Sequence, residues 1–285
     1  MINLPIGMGL YQSEIPTLAS LTCTNWIPII PKSGAVNDRA LLDRSGIAIF
    51  GILTGEHRGA IQFSGAYISI DGQNLNSVDS SGQATVLGTI EGIESCSLAK
   101  SEEFLVIVNK SGDGFVYDPS GPSVTKITGV NYVASSVVVF VDGYFVFMQL
   151  DGKQFFSCDL GDPLSYTSTF FSAAEERPDP IVSAFVYNNL LHILGTETIE
   201  KYNNQGGIQF PFVRINQATN QTGCLAYLSP LKVSDSFTYI GGGENEAAQI
   251  FLFSGSSPTL ISTPAIDNSI QNFREKSAKF SIKFF

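Results

Sequence analysis

An all-β fold, a propeller-like array of antiparallel four-stranded blades behind an extended N-terminal strap, is what this sequence predicts, and three observations carry the prediction. First, a strand–turn–strand unit recurs five times between Ile61 and Ser254. Its copies run through Ala66-Tyr67-Ile68, Glu103-Phe104-Leu105, Gly143-Tyr144-Phe145, Asn189-Leu190-Leu191 and Ser236-Phe237-Thr238. With Tyr67, Phe104, Tyr144, Leu190 and Phe237 taken as equivalent, the steps run from roughly 37 to roughly 47 residues, the period of a four-stranded propeller blade. Second, twenty-one Phe and ten Tyr accompany only 15% charged residues in a chain of 285, which suits sheets buried on both faces. Third, twenty-seven Gly and thirteen Pro supply the tight turns such a fold needs, and no helical period is read anywhere along the chain.

Residues 1–46 stand outside the repeat. Prolines at 5, 16, 28 and 31 interrupt short apolar runs, which predicts an extended arm with Trp26, the only tryptophan, anchoring it on the body or on a neighbour. From Ile47 to residue 270 the pattern is that of the propeller. Ile47–Leu53 reads as a short apolar strand and Thr54–Gly59 as a polar loop. Ala66–Ile70 with Asp71-Gly72 reads as a strand closed by a type I′ turn. Phe104–Val108 reads as a buried strand. Val137–Asp159 spells three successive strands joined at Asp142-Gly143 and Asp151-Gly152. Five units are legible, and a sixth from Ile47–Gly59 and the chain's end gives a range of five to seven blades.

Two segments break the rhythm: the acidic Ser172–Pro180 and the glycine- and aromatic-rich Gln205–Phe212, both expected to project as contact loops. Residues 271–285 read as a short basic and aromatic tail, a docking peptide or the front of a longer protein.

The net charge of −10 argues against sequence-wide affinity for phosphate backbones, although surrounding DNA in a channel remains compatible with it. No run is long and apolar enough for a membrane span, and the N-terminus lacks a basic and apolar leader, so the chain is read as made in the cytoplasm. Cys23, Cys96, Cys158 and Cys224 are scattered without ligand spacing, which predicts buried free thiols and no zinc site.

The candidates for chemistry are few. His57 is expected in a solvated loop and His192 inside a strand with a satisfied hydrogen bond. Gly206-Gly207 and Gly241-Gly242-Gly243 lack the helix and Lys-Ser/Thr of a phosphate cradle, and Glu244 and Glu246 lack the companions of a calcium loop. Ser157-Cys158-Asp159-Leu160-Gly161-Asp162 resembles part of a sialidase Asp-box turn. The arginines at 39, 44, 58, 177, 214 and 274 are too scattered to assign the carboxylate-gripping trio that a sialidase needs, and the Asp itself shapes the turn. No catalytic, cofactor-binding or metal-ligating residue is therefore assigned, and the chain is read as a non-enzyme, with a glycan-binding or sialidase-like propeller as the alternative.

A further set of stretches occurs in a familiar order. Phe155-Phe156-Ser157, Asp159-Leu160-Gly161-Asp162-Pro163, Ala173-Ala174-Glu175, Arg177-Pro178-Asp179, Leu194–Glu200, Phe210-Pro211-Phe212, Gly223-Cys224 and Ile261–Ile266 are similar to the tail accessory factors, or packaged-DNA stabilisation proteins, of short-tailed phages of the Salmonella type. Leu4-Pro5, Gly7-Met8-Gly9 and Ile90-Glu91-Gly92 extend the likeness, whose most specific part is Leu194–Glu200. The resemblance implies a virion protein with a propeller-like body, in a ring of subunits below the portal that seals DNA in the head. Its implied partners are the portal adaptor, the tail needle and the tailspike, and family members are longer at the C-terminus.

Overall fold

The fold follows from which strands are apolar on one face and which on both. β-strands alternate their side chains between faces, so a sheet sandwiched between two neighbours needs a near-continuous apolar run. The computed structural model describes residues 26–29, 40–43, 45–121, 123–168, 171–173, 179–206, 210–215, 219–242, 247–255 and 257–281, without the side chains of 26–29, 40, 41, 123, 171, 173 and 274–281. It divides into two units, Phe50–Ile261 and the combination of Met1–Ile49 with Ser262–Phe285.

Among the described residues the larger unit contains five four-stranded antiparallel sheets, each a meander of consecutive strands. Blade 1 is β3 (His57–Phe63), β4 (Ala66–Asp71), β5 (Asn74–Val78) and β6 (Ala84–Thr89). Blade 2 is β7 (Cys96–Lys100), β8 (Leu105–Asn109), β9 (Gly114–Asp118) and β10 (Ser123–Lys126). Blade 3 is β11 (Ser135–Val141), β12 (Tyr144–Gln149), β13 (Gln154–Ser157) and β14 (Phe171–Ala173). Blade 4 is β15 (Ile181–Tyr187), β16 (Leu190–Gly195), β17 (Ile199–Asn204) and β18 (Phe212–Arg214). Blade 5 is β19 (Leu231–Val233), β20 (Ser236–Gly241), β21 (Gln249–Phe253) and β22 (Pro258–Leu260).

The second strands show the packing logic. All of β8 (LVIVN) is buried, and β12 (YFVFMQ) and β16 (LLHILG) are buried through their middles, because blades 2, 3 and 4 each have a neighbour on both sides. The end blades alternate. In β4, Ala66, Ile68 and Ile70 join the core shared with blade 2, while Tyr67, Ser69 and Asp71 take the other face. In β20, Phe237 and Tyr239 join the core shared with blade 4, and Thr238 and Ile240 face away. Four hydrophobic clusters result, one between each consecutive pair of blades. No cluster of described residues joins blade 5 to blade 1.

Aromatic rings fill these seams. Tyr132, Phe147, Phe156 and Tyr166 form one group between blades 2 and 3, with Phe147 stacked on Phe156 at 5.2 Å between centroids. Phe155, Tyr202, Phe210 and Phe212 fill the next seam. The aromatics expected to project from Gln205–Phe212 thus turn inward. Burial of a ring outweighs exposure in a loop because each removes some 150–250 Å² from water.

Hairpin chemistry repeats as well. In Asp79-Ser80-Ser81-Gly82, Asn109-Lys110-Ser111-Gly112 and Asp118-Pro119-Ser120-Gly121, the first side chain accepts a hydrogen bond from the hydroxyl two residues on and from one or two following backbone N–H groups. Asp142 (φ 50°) and Gly143 (φ 84°) both adopt the left-handed region, as a type I′ turn demands.

Four further expectations need correction. Asp71 is a buried strand residue paired with Asn74, so the turn is Gly72-Gln73; only Gly72 has positive φ, which fits type II′ rather than I′. His57 opens β3 instead of lying in a loop. Ile47–Leu53 forms no strand: Ile47, Ile49, Phe50 and Ile52 are all exposed, because no sheet edge is hydrogen-bonded to them. A helix also exists: α1 (Pro264–Ser281), whose start carries Thr263 accepting backbone bonds from Ile266 and Asp267, Pro264 in the first turn, and Asp267 at its positive end.

In the smaller unit, β1 (Trp26–Ile29) pairs antiparallel with β2 (Ala40–Asp43), setting Trp26 opposite Asp43. The remainder of residues 1–39 and the side chain of Trp26 lie outside the described residues, as do Phe284 and Phe285.

Candidate functional site: the pocket of the first strands

The first strands β3, β7, β11 and β15 stand side by side and line a pocket of about 440 Å³. Its wall includes Ala60, Leu98, Val139 and Phe185, with Ser97, Ser183 and Lys100 as polar members. Ser97 ties two first strands together by accepting the Val138 N–H at 3.1 Å and donating to the Val138 carbonyl. In blade 5 the first strand is interrupted: Cys224 bridges to Gly241, then residues 226–230 leave the sheet before β19 resumes the pairing. That excursion brings Tyr227 to the pocket. Ser183 donates to the Tyr227 carbonyl at 2.6 Å, and the Lys110 ammonium sits 4.7 Å from the ring centroid, so a cation–π contact joins blade 2 to the segment ahead of blade 5.

Polar side chains that sequence reading treated singly turn out to be braces. Arg58 is 3% exposed. Its guanidinium donates to the carbonyls of Glu94 at 2.7 Å, Ile90 at 2.8 Å, Gly72 at 3.0 Å and Glu91 at 3.0 Å, clasping the connection between blades 1 and 2. Asp179, also buried, accepts from the backbone N–H of Glu197 and Thr198 and from the Thr198 hydroxyl, holding the β16–β17 turn against the entry to blade 4. Those partners lie within Leu194–Glu200, the stretch most characteristic of the resemblance. Lys201 donates to the Gly255 carbonyl and covers the face of Phe253, joining blades 4 and 5.

The sialidase-like turn has the same character. Asp159 accepts from the Ser165 hydroxyl at 2.6 Å and from the Thr167 N–H at 3.2 Å, closing its own loop. These bonds hold its carboxyl below the usual range against the opposing effect of partial burial. Of the six arginines, only Arg58 and Arg214 have described side chains, and Arg58 spends its donors on carbonyls.

Ser69, His57 and Asp71 do come together on blade 1, a trio that sequence spacing did not suggest. Ser69 donates to Asp71 at 2.6 Å, and both approach the same nitrogen, His57 Nδ1, at 3.4 and 3.1 Å. A proton relay needs the base to use its two nitrogens in turn, and the nucleophile must be reachable. Ser69 is fully buried, so the trio is a hydrogen-bonded brace.

His192 is a strand residue whose Nδ1 lies 3.1 Å from the Leu190 carbonyl, as expected, edge-on to Phe237 and Phe253. Burial pulls its pKa down to about 4. Cys96, Cys158 and Cys224 are free and buried; desolvation pushes Cys96 up to about 11 and Cys158 up to about 12. Cys23, Glu244 and Glu246 fall outside the described residues. Among the described residues no group of three or more His, Cys, Asp or Glu could hold a metal ion, and no helix is long and apolar enough to cross a membrane.

Comparison with known proteins fits this architecture. The chain is similar to YCF48 bound to D1 peptide, at 15% identity over 80% of this chain and 71% of that one, with a TM-score of 0.51, a likeness of fold alone. It is also similar to the computationally designed Ika8 protein (14% identity, 68% of this chain, TM-score 0.44) and to PorZ, a component of the type-IX secretion system of Porphyromonas gingivalis (13%, 74%, 0.47). It spans 57% and 29% of the lengths of those two. No curated protein matches the sequence. The family model described as the bacteriophage P22 Gp10 β-propeller matches residues 2–282, and the chain belongs to that family of phage structural proteins.

Proposed function

We propose that this chain is a passive building block of a phage or prophage tail, part of a ring below the portal that retains packaged DNA and offers docking surfaces to needle and tailspike. The observation that carries the reading is the set of four aromatic inter-blade cores in a member of the Gp10 propeller family. Close-packed interiors resist compression, and consecutive blades are also tied by side chains such as Arg58 (blades 1 and 2), Ser97 (blades 2 and 3) and Lys201 (blades 4 and 5). The reactive-looking groups support it too: the Asp159 carboxylate and the Ser69–His57–Asp71 trio are occupied in holding backbone and one another. Loops on the two rims, not a converging pocket, then supply the contacts that a symmetric ring multiplies.

The test is sedimentation of the purified chain with rings of its portal adaptor. Stoichiometric co-sedimentation is expected; a chain that stays in the supernatant at every ratio contradicts the reading. A glycan array run in parallel separates the other class, since saturable binding lost on Asp159→Ala would favour a glycan-binding propeller instead.

A further inference from the structure

Helix α1 exposes the side that a helix of a globular protein usually hides. At about 100° per residue, Ile266, Ile270, Phe273 and Phe280 fall in one stripe about 80° wide, broken by Ser277. Such a stripe is ordinarily the buried one. Here Phe273 is 74% exposed and Ile266 is exposed as well, whereas Asp267 and Gln271, further round the helix, each bury a side-chain oxygen. Ser269, at the border of the stripe, donates its hydroxyl to the Ala265 carbonyl and so needs no outside acceptor. The charged positions are sorted around the same stripe. By register, Arg274 and Lys276 lie about 40° beyond its two edges, Lys279 lies further round on the Lys276 side, and Glu275 stands opposite its midline.

From this arrangement we propose that α1 is an interfacial helix, whose apolar stripe lies in the headgroup layer of a membrane that carries anionic lipid. Three features select that occupant. An apolar stripe flanked by bases calls for a surface that is apolar at depth and negative at its rim. A leaflet with anionic headgroups offers both, since long basic side chains keep their charge among the headgroups while the apolar ones sink below. The bases are also concentrated here: Arg274, Lys276 and Lys279 stand against one acid, Glu275, in a chain whose net charge is −10. This segment is therefore drawn to an anionic surface that repels the chain as a whole. Finally, α1 is 18 residues long yet not apolar enough to cross a bilayer, so its stripe suits lying on a leaflet and not spanning one. A protein groove would require neither lipid nor a negative surface charge, and the vesicle series below separates the two. The inference stands apart from the virion reading because it rests on α1 alone, so failure of either leaves the other in place.

The experiment is flotation of the full chain with vesicles of phosphatidylcholine alone or of phosphatidylcholine with an equal share of phosphatidylglycerol. The chain should float with the anionic vesicles at about 50 mM salt, lose most of that binding at about 500 mM, and bind phosphatidylcholine at least tenfold more weakly, on the order expected for three bases near a charged leaflet. Phe273→Glu sets a carboxylate in the stripe at an exposed site and should lower partitioning more than tenfold. The triple variant Arg274→Gln, Lys276→Gln, Lys279→Gln keeps the stripe and should fall to the level seen with phosphatidylcholine. Val130→Glu, a charge placed at a fully exposed apolar site of the larger unit, is the control and should float as the wild type does. Melting temperatures check that every variant folds. A wild type that floats equally with both kinds of vesicle, or a Phe273→Glu chain that floats like the wild type, overturns the proposal. A wild type that floats with neither overturns it too, and leaves a protein groove as the cover of the stripe.

Discussion

Asp179 and Thr198 are joined by three contacts, from the Thr198 N–H at 3.0 Å and the Thr198 hydroxyl at 3.2 and 3.3 Å, while the neighbouring Glu197 N–H donates to the same carboxylate at 2.8 Å. The most family-like stretch of the chain is thus conformational: it presents amide groups to a buried carboxylate that arrives from the previous connection. Gly195 belongs to the same device, because a side chain there would run into the Asp179 carboxylate. Asp179→Ala should destabilise the fold by about 2–4 kcal/mol, the range for losing charge-assisted bonds and leaving amides buried. Urea unfolding measures it, and a change below about 0.5 kcal/mol would show that the turn holds without its anchor.

Arg58 should behave similarly on the other side of the array. Arg58→Lys keeps the charge but presents one ammonium where a planar fork reaches four carbonyls, so a loss of about 3 kcal/mol is expected. The same urea experiment checks it, and Arg58→Lys matching the wild type would mean that water replaces the fork.

His192 gives a pH dependence with a definite sign. The unfolded chain takes up a proton near pH 6.5, whereas the folded chain resists until about pH 4 because the imidazole is buried among Phe237, Phe253 and Tyr187. Between those values the unfolded state binds more protons. This contribution to stability is therefore intact above pH 6.5 and lost as pH falls towards 4, by about 3 kcal/mol in total. Unfolding free energies at a series of pH values should show that slope, and His192→Phe should flatten it.

The buried thiols predict slow chemistry. In a Cys23→Ser background, a maleimide should label Cys96 and Cys158 only as fast as the structure opens, since their pKa values near 11 and 12 and their burial withhold thiolate. Labelling within seconds under native conditions would contradict the described cores.

Much of the body was legible because its signals are local. Tyr67, Tyr144, Leu190 and Phe237 all fall on second strands, with Phe104 one residue ahead of its own, and Asp142-Gly143 turns where the sequence says it should. What escaped depends on partners distant in sequence. Arg58 meets carbonyls 14 to 36 residues away, and Asp179 meets amides 18 and 19 away. No pattern within a strand reports such a pairing. The α1 helix had a readable start in Thr263-Pro264 and Asp267, overlooked because the β rhythm before it set the expectation. Ile47–Leu53 misled for the opposite reason, since an apolar run looks like a strand whether or not an edge awaits it. The alternation in β4 and β20 against the unbroken apolar runs of β8, β12 and β16 was also present in the sequence, and it marks which blades stand at the ends.

The most direct measurement of the central claim is the DNA content of phage particles assembled with and without this chain. The account predicts that the chain co-purifies with complete particles and that heads built without it fill and then leak their DNA. Particles that lack the chain yet keep a full complement of DNA and normal titre would contradict it.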